Sequence, residues 1–305
     1  MLLTIDAIVA EAARGAPGIV AIAAAHDDDV LKAAAAARAG KIAEPILIGD
    51  EPKIIEILES LGESASCYRI EHADTDTAAA ALAVRLVASG QADYLMKGLL
   101  GTADLMRAVL DKDLGLKPDR LISHVMLYET SKYPKLLVLT DGGMNTFPDL
   151  VKKADILENA AQVLQALGYS GMTAACVCGA EVVNPKIQST LDADELSKMT
   201  ERWKPYGMNV IGPVGLDLAV SPEACHHKKY NVQGGGEADI LLVPTYEVGN
   251  GIGKTLTYFG GARSAGIIAG AKAPIVLVSR SDTAQTKLAS IALGAVVARH
   301  TRRAL

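Results

Sequence analysis

Aromatic side chains are scarce in this chain of 305 residues, at 4% with one tryptophan and two phenylalanines. Basic charge is not in excess either: 30 Lys and Arg stand against 35 Asp and Glu, giving a net charge of −5 and a pI near 5.7. A non-specific nucleic-acid binder needs a basic face and rings on which bases stack, so these two shortages argue against that class. An anionic ligand must then be held by a local cationic pocket, because the field of the whole molecule does not attract it. Cysteine is rare too. Cys67, Cys176, Cys178 and Cys225 contain no C-x-x-C pair, and a chain this long needs no disulfide scaffold. Cys176 and Cys178, at the apolar run 173–177, read as small buried hydrophobes. Cys225-His226-His227 invites a metal reading, but three adjacent residues point in different directions and no second ligand pair has helical spacing. That segment reads as an exposed turn, and no metal is expected.

Long uncharged apolar runs are also missing. Even the stretch 19–25 ends at His26-Asp27-Asp28-Asp29, well short of a membrane span. The beginning, MLLTIDAIVAEAARG, carries Asp6 and Glu11 early and has no basic region ahead of its apolar residues, unlike a signal sequence. The expectation is a cytoplasmic protein that does not engage membranes.

What the chain does have is apolar content in short, regular pieces. Hydrophobic residues make up 50% and charged residues 21%, ample for sizeable cores under a soluble surface. Length alone suggests two domains. Short β-branched runs at 19–23, 45–48, 68–70, 94–96, 122–127, 136–139, 173–177, 209–211, 240–243 and 274–278 read as strands. Between them, segments such as 30–39, 54–61, 78–87 and 150–167 repeat apolar residues near the helical period. Alternation of this kind predicts an α/β protein with mostly parallel sheets, whose strands read as continuous apolar runs because helices cover both faces. Asp27–Asp29 and Thr102-Ala103-Asp104 mark helix starts. A turn-forming stretch, Asp141-Gly142-Gly143-Met144-Asn145, suggests a boundary between a first domain of 1–140 plus 271–305 and a second of 141–270. The Gly/Ala-rich passage 260–270 is where the chain could return.

Four segments place polar or glycine residues just past strand ends, where open α/β sheets bind ligands. They are Lys97-Gly98 leading to Arg107, Thr140-Asp141-Gly142-Gly143, the run from Pro244 to Lys254, and Ser279-Arg280-Ser281-Asp282. The third resembles a Walker A loop, but counting back from Gly253-Lys254-Thr255 puts Val248 where that loop needs glycine, with Gly249 one place late. What remains is a glycine-rich helix entrance, able either to bind an anion through backbone N–H groups or simply to pack a helix closely on a strand. Asp282 with Gln285 reads as a capping-box variant, Lys97 as a rim charge, and Arg107 as a surface helix residue, if each is taken alone.

Taken together, the strings LMKGLLGTADLMRAVL, LISHVMLYE, LTDGGMNTFPDL, VGLDLAVSPEACHHK, ADILLVPTYEVGNGIGKTLTYF and APIVLVSRSD resemble the phosphate acetyl/butyryl transferase family, in order over about 87–298. Lys97-Gly98 and Leu121-Ile122-Ser123-His124 are closer to its butyryl branch. The resemblance implies two three-layer α/β/α domains with an active-site cleft between them, and a homodimer or larger assembly. It implies an acyltransferase whose partners are acyl-CoA and inorganic phosphate, with CoA as substrate and no cofactor. On the same basis Ser279 contacts the reacting centre, and Arg280, Asn250, Gly249 and Lys97 hold substrate or phosphate. Arg107 and Lys254 hold CoA. The acetyl branch carries its base aspartate seven residues after the serine, where this chain has Thr286; Asp282 is the nearest carboxylate and takes that role here. Two other readings compete: a metal- and NAD-dependent decarboxylating dehydrogenase of similar architecture, and a silent CoA- or acyl-phosphate-binding module. The dehydrogenase would need an aspartate cluster and a triple-arginine grip, and Asp192-x-Asp194 reads only as a helix start.

Overall fold

The computed structural model describes residues 1–116, 120–279 and 282–304. The chain divides into two compact units, Ile5–Arg120 with Ala265–Leu305, and Met1–Thr4 with Leu121–Ser264. The first unit alternates helices with strands β1 Gly18–Ala23, β2 Ala43–Gly49, β3 Arg69–His72 and β4 Tyr94–Lys97. The second contains β5 Ser123–Glu129, β6 Leu137–Thr140, β7 Met172–Val177, β8 Met208–Val214 and β9 Ile240–Leu242. Strand β10 Arg263–Ala269 carries the chain back, with the division falling inside it, and β11 Ile275–Val276 follows.

In the first unit the strand order is β3-β2-β1-β4-β11-β10, parallel except for β10 against β11. In the second it is β5-β6-β9-β7-β8, parallel except for β5 against β6. Strands β4, β6 and β9 are buried at every position, as expected where both sheet faces are covered. Local chemistry sets the helix starts. Asp27 caps the helix Asp28–Ala39 by accepting from the Val30 N–H at 2.9 Å, and Asp149 caps Leu150–Ala166 through the Lys152 N–H at 2.9 Å. The second unit's core gathers Tyr128, Leu137, Leu139, Ile211, Leu241 and Val243 from four neighbouring strands and the end of β9. No helix among the described residues is long and apolar enough to cross a membrane.

Several local expectations change in the fold. The division falls between Arg120 and Leu121, not at the Asp141–Asn145 turn, because β5 and β6 pair antiparallel, with Met126 opposite Leu139, and so stay in one unit. The Gly/Ala-rich passage contains the seven-residue strand β10, buried at every position after Arg263. Cys225-His226-His227 is not a turn: it ends a short helix, Pro222–His227, with both imidazoles outside and the Cys225 thiol buried and donating to the Leu218 carbonyl. Asp192 lies in the middle of the helix Gln188–Lys198 rather than at its start. It is buried there, 2.6 Å from the equally buried ammonium of Lys153, and the pair satisfies two charges that neither helix could bury alone. Cys176 and Cys178 are buried, and burial pushes both thiols up, away from the reactive thiolate form.

Candidate functional site

Register decides which segments emerge together at the carboxyl edge of the first unit's sheet. Ala23 is opposite Lys97, and Met96 is opposite Val276, so β1, β4 and β11 end side by side. The chain beyond β4 runs close to that beyond β1: Gly98 N–H donates to Ala23 O and Leu99 N–H to Ala24 O, both at 2.8 Å. A Cβ at Gly98 would sit 2.1 Å from Ala24 O, so only glycine allows this approach. The result is a small pocket lined by Asp27, Val30, Lys97, Gly98, Leu99, Val278, Ser279 and Lys287.

Two lysines of that pocket are buried. Lys97, expected as a rim charge, is only 4% exposed, and its ammonium donates to Gly98 O and Leu100 O at 3.1 Å. Lys287, on the first turn of the helix Ala284–Ala304, is 3% exposed and donates to Asp282 O. Ser279 is exposed. Its loop closes on itself, with the Ser279 N–H donating to Asp282 Oδ2 at 2.8 Å and the Asp282 N–H to Ser279 O at 3.1 Å. Asp282 is therefore not the cap of the last helix. Thr283 does that, its hydroxyl accepting from the Thr286 N–H at 3.3 Å and its carbonyl from the Lys287 N–H at 3.0 Å. Thr286, where the acetyl branch has its aspartate, offers only a hydroxyl near Thr283. Arg280 and Ser281 lie outside the described residues. Arg107 is exposed on the helix Thr102–Leu110 and donates to Asp104 at 2.8 Å, one turn away.

The second unit holds the other candidates. After β6, the Asp141 carboxylate is 2% exposed and accepts from five N–H groups. Four are backbone, of His124, Gly143, Met144 and Asn145, at 2.8–3.3 Å, and the fifth is the Asn145 amide at 2.6 Å. The amide also reaches Ile122 O at 3.0 Å, tying the loop to β5. This buried anion turns the loop so that Gly142 lies on Gly249, where a Cβ would meet the Gly249 backbone at 2.7 Å. Gly249 and Gly253 lie within the helix Tyr246–Tyr258 in buried positions, and a Cβ on Gly253 would strike the Tyr128 hydroxyl at 2.4 Å. The Gly249 N–H is used within the helix, donating to Thr245 O at 3.2 Å. Close packing thus accounts for both glycines. Asn250 sits beside Gly142, half-buried, and Lys254, four residues on along the same face, is exposed with its ammonium 5.7 Å from the centre of the Tyr258 ring.

Sequence reasoning missed Lys287, Asp27 and the internal role of Asp141. For Lys287 there was one signal: it is the last charge before the uncharged run LASIALGAVVA.

Comparison with known proteins places this geometry. The profile of the family described as phosphate acetyl/butaryl transferase matches residues 63–295. A phosphate butyryltransferase of Clostridium acetobutylicum is 45% identical over 279 residues, 92% of this chain and 93% of that protein. A phosphate acetyltransferase of Thermotoga maritima is 39% identical over 288 residues, 94% of this chain and 98% of its own. The crystal structure of a branched-chain phosphotransacylase from Enterococcus faecalis V583 superposes with a TM-score of 0.81 at 34% identity, covering 92% of this chain and 98% of that one. Likeness of this extent leaves one assignment: the chain belongs to the phosphate acetyl/butaryl transferase family.

Proposed function

We propose that this chain transfers a short-chain acyl group, butyryl or acetyl, between CoA and inorganic phosphate: acyl-CoA plus phosphate gives acyl phosphate plus CoA. The observation that carries the reading is the likeness, over 92% of the chain at 45% identity, to a phosphate butyryltransferase. The decarboxylating dehydrogenase is set aside, since the relatives at this level are transferases.

The reaction asks little beyond positioning and charge. A phosphate oxygen attacks the thioester carbon, the carbonyl electron pair moves onto oxygen, and collapse of that intermediate breaks the C–S bond. The departing CoA thiolate then takes a proton. Holding phosphate in line with the carbonyl removes much of the entropic barrier, and a donor aimed at the developing oxyanion lowers the rest. Ser279, exposed at the mouth of the pocket, takes the donor role. Lys97, with Arg280 and Asn250, is assigned to phosphate or substrate, and Arg107 and Lys254 to the phosphates of CoA, while Gly249 serves to let its helix pack closely on the Gly142 loop. Neutral-pH phosphate is largely dianionic, so the base, assigned to Asp282, need not be strong. A homodimer or larger assembly and a cytoplasmic location belong to the same reading.

The decisive experiment is thiol release from butyryl-CoA and acetyl-CoA, with phosphate present or omitted. Phosphate-dependent release, unchanged by a chelator and without nicotinamide, is expected. No release with either substrate would leave only a binding module.

Two substitutions refine the assignments. Arg107→Ala is expected to raise the KM for acyl-CoA about tenfold with little change in kcat, because a cation on a remote phosphate contributes equally to ground and transition states. A collapse of kcat at unchanged KM would move Arg107 to the reacting centre. Asp282→Asn keeps an oxygen to accept the Ser279 N–H, so loop and melting temperature should hold. As the base, its loss should lower kcat on the order of 10²-fold or more. Wild-type turnover across neutral pH would restrict Asp282 to holding the loop, with phosphate as its own base.

A further inference from the structure

Resting on the acyl-transfer reading, we propose that Lys287 is a second cation of the Ser279 pocket and binds the oxygens of inorganic phosphate. Outside this pocket, the buried Lys153 is paired with Asp192 at 2.6 Å and the half-buried Lys135 with Asp239 at 2.5 Å. Lys287 instead gives its hydrogen bond to the neutral carbonyl of Asp282. An ammonium has three donors, and a buried one without a counter-charge is costly to keep. The pocket explains why it is kept.

Among the described residues of its lining, Asp27, Lys97 and Lys287 are ionisable, two cations against one carboxylate. Asp27 accepts from the Val30 N–H at the start of its helix. The cavity itself is small, about 10 Å³, so an anion would be held at its mouth, where Ser279 is exposed. Two ammonium groups and a hydroxyl around an opening suit a small multivalent oxyanion better than an acyl chain. They also meet the requirement set by the net charge of −5, that an anion be drawn by local cations alone. Lys287 holds the carbonyl of Asp282, whose carboxylate accepts from the Ser279 N–H.

The test reads phosphate binding directly, without turnover, so it stands whether or not acyl transfer is detected. Lysine side-chain methylene resonances of the unmodified protein, with Lys287 assigned through K287R, are followed as inorganic phosphate is added, and in a parallel arm as CoA is added. Lys287 is expected to shift with phosphate. K287M, which keeps the stem, should weaken phosphate binding about 10- to 100-fold, the scale of one hydrogen bond to a charged group. K287R should retain most of it. Acyl-CoA KM in K287M should stay near wild type while the phosphate KM rises. The proposal is overturned if the Lys287 resonance ignores phosphate, if K287M binds phosphate as wild type does, or if CoA alone moves Lys287 and phosphate does not. Should K287M fail to fold, the resonance of the unmodified protein decides by itself.

Discussion

Ser279→Ala is expected to reduce turnover by about 10²- to 10³-fold, the scale of one preorganised donor to a developing oxyanion. The melting temperature should hardly move. Ser279 is exposed, and two hydrogen bonds of its loop run through its backbone, from its N–H to Asp282 and from the Asp282 N–H to its carbonyl. Alanine keeps both, and a hydroxyl removed from an exposed site leaves no cavity for the core to fill. Steady-state thiol release with calorimetry on the same sample checks the pair of outcomes. If the hydroxyl acts on the transition state, kcat and kcat/KM fall together. A rise in KM alone would make Ser279 a binding group, and an unchanged kcat would remove it from the reacting centre.

The second large effect is on stability. Asp141→Ala removes the acceptor for four backbone N–H groups and the Asn145 amide at a position 2% exposed. Each donor left unsatisfied in a buried place costs about 1–3 kcal/mol. Rearrangement and water entry recover part of this, so a net loss of about 3–5 kcal/mol is expected. Urea unfolding should show a lower midpoint with an unchanged slope. Asp141→Asn is the control: it fills the same volume but turns an amide toward N–H donors, and should lie between the two. An alanine variant within about 1 kcal/mol of wild type, inside the usual range of surface changes, would mean that the loop closes on itself without the carboxylate. Because Gly142 of this loop lies on the Gly249 backbone, the alanine variant should also lower activity by displacing Asn250.

The strands of the fold were legible wherever β-branched and aliphatic residues run together, as in VAIA of β1 and LVLT of β6, because both faces of these strands are covered. Strand β10 was not. Its sequence, RSAGIIA between glycine turns, mixes small and polar residues like a loop, and strand pairing, as with β11, makes it a strand. Asp192 shows the same limit from another side. Next to Asp194 in a polar stretch it reads as a solvated helix start, yet it is buried because Lys153, distant in sequence, meets it. Asp282 looks like a cap by spacing, but the loop turns its carboxylate back to Ser279 and leaves capping to Thr283.

Composition, periodicity and ordered motifs determined by themselves that this is an α/β chain with mostly parallel strands, carrying the segments of the phosphate acetyl/butaryl transferase family. Those features are local: a few neighbouring residues suffice to show an apolar run, a charge balance or a string such as LVSRSD. Which charges are buried was decided only by tertiary structure. Lys97 and Lys287 are distant in sequence, and nothing there says that they meet. They share a pocket because parallel pairing of β1, β4 and β11 ends three strands at one edge, and because the last helix starts just beyond that edge. The energy of a charge depends on what surrounds it in space, and sequence separation carries no information about that.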